Sequence, residues 1–109
     1  MRRGEIWWAA VGRPAGSAPG YRRPALILQT DDFNDSPIAT VVVIAITSNL
    51  RLAAAPGNVR CSSRETGLKK PSVINVSQVA TIDKSRLLER AGSVPRRVLE
   101  RVEDGVRLV

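Results

Sequence analysis

The chain contains no histidine. Any acid–base chemistry must therefore do without the side chain most often used for it near neutral pH. Cysteine is almost as scarce. Cys61 stands alone, which excludes an intrachain disulfide and a thiolate metal cluster. A metal site would have to be built from oxygen, and no Asp-x-Asp-type cage is present, so no metal and no cofactor are expected. Long apolar runs are missing too. The longest, Ile38 to Ile46, is about half a bilayer span and carries Thr40. Arg2-Arg3 is not followed by an apolar stretch, so no signal peptide is expected. There are no repeats and no low-complexity tail. These absences lead to the expectation of a soluble, cytoplasmic protein with no membrane partner.

Acidic residues are in deficit. Ten Asp and Glu face seventeen Lys and Arg, which leaves a net charge of +7 over 109 residues. A small chain this basic suits nucleic acid, an acidic protein or an anionic surface. Nucleic acid is favoured because basic residues cluster at Arg22-Arg23 and from Arg86 to Arg101. A surplus of solvated arginine is the bland alternative. The length suits one domain, residues 1–109, with a modest core.

Glu5 to Val11 reads as a first strand, rich in β-favouring residues that include Trp7 and Trp8. On opposite faces of a strand, one tryptophan is expected in the core and one exposed. Gly12 to Gly20 is a long Gly/Pro-rich loop. Pro24 to Gln29 is a second strand and Asp31 to Pro37 a polar turn. Thr40 to Thr47, apolar on both faces, is the expected central strand. Asn49 to Asn58 reads as a loop, Val59 to Ser62 as a short strand and Glu65-Thr66-Gly67 as a turn. Ser72 to Val76 and Gln78 to Ile82 read as pieces of one bent strand, and Leu87 to Ser93 as the last. Val98, Leu99, Val102, Val106 and Val109 then fall on one helical face, with Ser93 a candidate N-cap and Pro95 in the first turn. Arg96 and Arg97 sit where the helix dipole disfavours positive charge. Many short strands with one late helix predict a small antiparallel barrel or curled sheet.

The functional candidates stand at two strand ends. Arg22-Arg23 precedes the strand that begins at Pro24, and Thr47-Ser48-Asn49 follows the strand that ends at Ile46. Paired antiparallel, those strands put Arg23 and Thr47 on one rim. A planar guanidinium beside a hydroxyl suits a phosphodiester. Taken singly, each is explained by a solvated loop arginine or a structural threonine. Glu65 is a candidate base, or simply a solvated carboxylate. Asn75 and Ser77 suit cross-strand hydrogen bonds.

These segments resemble the MazF/PemK toxins, endoribonucleases of bacterial toxin–antitoxin systems. Arg3-Gly4-Glu5-Ile6-Trp7-Trp8 is similar to the family's opening strand. Gly16-Ser17-x-x-Gly20-Tyr21-Arg22-Arg23-Pro24 is similar to its active-site loop, with Ala18 where a glutamate is common. Gln29-Thr30-Asp31-Asp32-Phe33-Asn34 is similar to its Q-N-D-x-x-N turn, with Thr30 in place of Asn. Ile46 to Asn49, Ser72 to Gln78 and Thr81 to Leu87 follow in order. The resemblance implies a mainly β, SH3-like antiparallel barrel with a C-terminal α-helix, acting as a homodimer. It implies catalysis by Arg23 and Thr47. It also implies RNA contacts from Ser17, Tyr21, Arg22, Asn34, Ser48, Asn49 and Gln78. The substrate implied is single-stranded RNA, messenger RNA included, and the partner a cognate antitoxin with an acidic, disordered segment. Arg22, Arg23 and the basic residues from Lys84 to Arg97 are its expected charge partners. A non-cleaving RNA-binding barrel and a gyrase-directed toxin of similar fold are the alternatives.

Overall fold

A computed structural model describes residues 1–12 and 21–109. Ser17 lies outside them, and Tyr21 enters only as the first residue of a strand. The order is β1 (Glu5–Val11), β2 (Tyr21–Ile27), α1 (Asp31–Asn34), β3 (Thr40–Thr47), a 3-10 turn (Leu50–Ala54), β4 (Val59–Cys61), α2 (Ser63–Thr66), β5 (Ser72–Asp83), a second 3-10 turn (Lys84–Arg86), β6 (Leu87–Ser93) and α3 (Arg96–Leu108). The strands form one antiparallel sheet in the order β4-β5-β3-β2-β1-β6.

β1 and β3 fall where the aromatic and β-branched runs place them, and β6 covers the expected Leu87 to Ser93. β2 begins earlier than its apolar run, because Arg22 and Arg23 pair with Ala10 and Ala9 of β1. The two later pieces are one bent strand. Ile74 lies opposite Ile46 and Val79 opposite Ile44, so residues 75–78 face Ala45 alone. Extra residues of this kind bend a strand and raise its twist. Ser77 donates to the Asn75 side chain at 2.9 Å within this bulge, not across strands.

Both faces of the sheet carry apolar side chains. Val98 and Val102 of α3 are fully buried with Ile6, Leu26, Ile44, Ile74 and Val76. Ala25, Ile27, Val41 and Val43 form a second cluster on the opposite face. Trp8 packs against the first cluster and Trp7 against the second, each half-buried. The expectation of one buried and one exposed tryptophan is corrected accordingly. α3 starts later than expected. Ser93 is still paired with Glu5 in the sheet, and Pro95 takes the N-cap position with no side-chain bond to give. Val109 is exposed beyond the helix end. Near that end, Gly105 rests on Gly57. A methyl group on Gly105 would stand 2.2 Å from the Gly57 carbonyl oxygen.

The expected barrel does not close by hydrogen bonding, because β4 and β6 remain as edges. α2 spans the gap. It carries a capping box in which the Glu65 N–H donates to Ser62 Oγ and the Ser62 N–H donates to Glu65 Oε1 at 2.9 Å. It ends at Gly67, whose φ of +80° is the left-handed turn that stops a helix. This end lies flat on β6. A Cβ on Gly92 would be 2.2 Å from the Thr66 carbonyl oxygen, and one on Gly67 would be 2.4 Å from that of Ala91.

Candidate active site

β2 is paired with β3 only over Ala25–Ile27, matched to Ala45, Ile44 and Val43. Continuing that register by two residues sets Arg23 opposite Thr47 and on the same face. The strands part there, and a cleft of about 750 Å³ opens at the rim. It holds Trp8, Arg22, Arg23, Thr47 and Ser48, together with Lys69, Lys70, Glu89 and Arg90. Five cationic side chains thus face one carboxylate.

Those cations are not equivalent. Arg22 donates to Glu89 at 2.6 Å, and its guanidinium lies 5.5 Å from the centre of the Trp8 ring. Arg90 pairs with Glu5 at 3.0 Å. Arg23, Lys69 and Lys70 have no ion pair among the described residues and keep their charge for a ligand. The Thr47 hydroxyl oxygen accepts the Asn49 N–H at 3.1 Å, which orients it and leaves its proton to donate.

Other expected contacts lie elsewhere. Asn49 Oδ1 accepts the Arg51 N–H at 3.2 Å and so caps the Leu50–Ala54 turn. Gln78 is exposed on the β5 bulge, outside the cleft lining. Asn34 is buried in α1. Its amide donates to the Gln29 carbonyl at 2.9 Å and to Asp31 at 3.0 Å, and accepts from Gln29 Nε2 at 3.1 Å. The Arg3 N–H, helped by Asn34, holds the Asp31 carboxyl below the ordinary value. Asn34 therefore pins a turn and has no free group for a base.

The basic run from Lys84 to Arg97 is also largely engaged. Lys84 donates to the Asn34 and Ser36 carbonyls, and Arg86 to those of Ala10 and Gly12. Arg96 pairs with Glu100, and Arg97 with Glu65 at 3.0 Å. The Ser62 N–H above all, then Arg97, keeps the Glu65 carboxyl below its ordinary value. It serves as a cap and ion-pair partner, away from the cleft.

Lys69 and Lys70 were missed in the sequence reading, yet a signal was present. Lys69-Lys70-Pro71-Ser72-Val73-Ile74 repeats the pattern of Arg22-Arg23-Pro24-Ala25-Leu26-Ile27, a dibasic pair and a proline leading into an apolar strand. Cys61 is buried in the first cluster. Burial pushes its thiol up to about 11, with Glu65 adding to the rise and Arg101 opposing it. Iodoacetamide at pH 8 should accordingly alkylate the native protein about a hundredfold more slowly than the unfolded chain. Equal rates, read by mass spectrometry, would contradict this burial.

The geometry has relatives. The description "PemK-like, MazF-like toxin of type II toxin-antitoxin system" matches residues 2–109. The chain is 46% identical over 109 residues to endoribonuclease MazF6 of Mycobacterium tuberculosis, covering 100% of this chain and 96% of that one. It is 31% identical to endoribonuclease EndoA of Bacillus subtilis, covering 99% and 92%. Among solved structures, an endoribonuclease with its cognate antitoxin from a mycobacterial species superposes with a TM-score of 0.81 at 20% identity, covering 99% and 92%. A MazE–MazF complex from Deinococcus radiodurans gives 0.79 at 24%, covering 97% and 91%. The fold matches although the sheet stays open at its β4 and β6 edges. With the family matched from residue 2 to residue 109, and a relative at 46% identity along the whole chain, this chain belongs to the MazF/PemK toxins.

Proposed function

We propose that this endoribonuclease toxin cuts single-stranded RNA, messenger RNA included, at chosen base sequences and without a metal ion, using Arg23 and Thr47. One observation carries the reading: a guanidinium with no ion pair among the described residues and a hydroxyl with a free proton both line the rim of a cationic cleft. RNA carries its own nucleophile. The 2′-oxygen attacks the adjacent phosphorus, a new O–P bond forms, and the bond to the 5′-oxygen breaks. The 2′-hydroxyl proton goes to a base, and another proton reaches the departing 5′-oxygen. The products are a 2′,3′-cyclic phosphate and a 5′-hydroxyl.

Arg23 offers two parallel donors to the phosphoryl oxygens as negative charge builds on them. Thr47 donates to the same oxygens or orients the 2′-hydroxyl. Alignment in the cleft supplies much of the remaining acceleration. A guanidinium is a poor base, so Arg23 acts through charge and as a donor toward the leaving oxygen. Ser17, Tyr21 at the start of β2, and Gln78, on the bulge, supply base contacts in this reading.

The protein acts as a homodimer in the cytoplasm. Among the described residues no helix is long and apolar enough to cross a membrane. A cognate antitoxin lays an acidic, partly disordered segment in the cleft. Its charges meet Arg23, Lys69 and Lys70, because the run from Lys84 to Arg97 is engaged within the fold.

Purified protein should cut a long RNA in EDTA, and one 2′-deoxyribose at the scissile nucleotide should abolish that cut. A Mg²⁺ requirement, or equal cutting of DNA, would refute the mechanism.

A further inference from the structure

We propose that Lys69 and Lys70 form a second phosphate-binding element of the cleft, holding the RNA backbone next to the scissile phosphate while Arg23 acts on that phosphate itself. The inference rests on the nuclease reading for the identity of its ligand. Both lysines line the cleft, both are exposed, and neither has an ion pair among the described residues. Their backbone is pinned on each side. Leu68 is buried in the core, and its N–H donates to Thr66 Oγ1 at 3.1 Å. The Ser72 hydroxyl donates to the Lys70 carbonyl at 3.1 Å. Pro71 holds the preceding residue in an extended conformation. Behind them, the contact of Gly67 and Thr66 with β6 fixes where the segment leaves the sheet edge. Two flexible ammonium groups thus rise from a rigid base.

The chemistry of the two dibasic pairs differs. Arg22 is held by Glu89 and Trp8, whereas Arg23 has no ion pair among the described residues and lines the cleft with Thr47. Lysine is a point charge without the fork that fits a phosphoryl group in two places. It suits phosphates that must be attracted and held while their charge stays constant. Contacts of that kind fix the strand's position and carry no base sequence. Lys69 and Lys70 are therefore positioning residues. They strengthen binding of every sequence alike and leave the chemical step alone.

The test is a double variant, Lys69→Ala with Lys70→Ala. Binding is measured by anisotropy of a labelled single-stranded RNA in the Arg23→Ala background, so that the RNA stays intact. Each lost phosphate contact should reduce the slope of log affinity against log salt by about 0.7, so about 1.4 for the pair. Near 0.1 M salt that is roughly a twentyfold weaker complex. With Arg23 present, KM should rise by a similar factor, kcat should hold within about twofold, and the cut sites should not change. Lys69→Arg with Lys70→Arg should restore the slope. An unchanged slope overturns the proposal. So does an equal change from Arg60→Ala with Arg101→Ala, which removes as much charge outside the cleft. If the unmodified protein cuts no RNA, the nuclease reading falls, and the slope still decides whether these lysines hold phosphates.

Discussion

Arg23→Ala should lower turnover by about a hundred- to a thousandfold while weakening RNA binding by less than about tenfold. The asymmetry follows from the cleft's charge. Among the described residues Arg23 is one of three cleft cations without an ion pair, and Lys69 and Lys70 still attract the backbone when it is gone. What disappears is a donor aimed at oxygens whose charge grows only as the phosphorus is attacked. A contact stronger in the transition state than in the ground state appears in kcat. Thr47→Val should act in the same direction. It also removes the acceptor for the Asn49 N–H, so its fold should be checked by melting. Steady-state kinetics on a short RNA, with anisotropy for affinity, separate the two effects. Equal losses in binding and turnover for Arg23→Ala would favour a barrel that holds RNA without cutting it.

Gly92→Ala should destabilise the protein by about 1–3 kcal/mol, a loss of several degrees or more in Tm. The added methyl group would stand 2.2 Å from the Thr66 carbonyl oxygen, 2.9 Å from its carbon and 3.0 Å from the Gly67 Cα. All three are backbone atoms, so no rotamer change relieves the clash. Either α2 or β6 must move, and this contact is what closes the gap between the β4 and β6 edges. The segment carrying Lys69 and Lys70 leaves from the same point, so RNA affinity should fall as well. A thermal melt followed by circular dichroism reads the first effect. An unchanged Tm would mean that α2 is not a fixed bridge.

The two strand ends that line the cleft were legible because each follows from one local signal. A β-branched run marks Thr40–Thr47, a proline and apolar run marks the strand after Arg23, and adjacent strands pair. Residues whose roles depend on distant partners were not legible. Arg97 looked misplaced at a helix start until Glu65, held in α2 by its capping box, came into reach. Asn34 sits in a family motif, and only its burial shows that its amide is committed to Gln29 and Asp31. The bridge that α2 makes between the sheet edges was not legible, because α2 is four residues long, too short for a periodic pattern, and reads as a turn. Its Ser62-to-Glu65 capping spacing and Gly67 were the available clue. Lys69 and Lys70 share the dibasic pair and proline of Arg22 to Pro24, but that pattern alone does not say that β5 begins against the Thr47 end of β3.

The most direct test of the account is the chemistry of the new RNA ends. A uniformly sequenced transcript is incubated with the protein in EDTA, and the fragments are analysed by mass spectrometry. Attack by the 2′-oxygen aligned by Arg23 and Thr47 leaves a 2′,3′-cyclic phosphate and a 5′-hydroxyl at every cut. A 5′-phosphate with a 3′-hydroxyl would mean that water was the nucleophile, and would contradict the central claim.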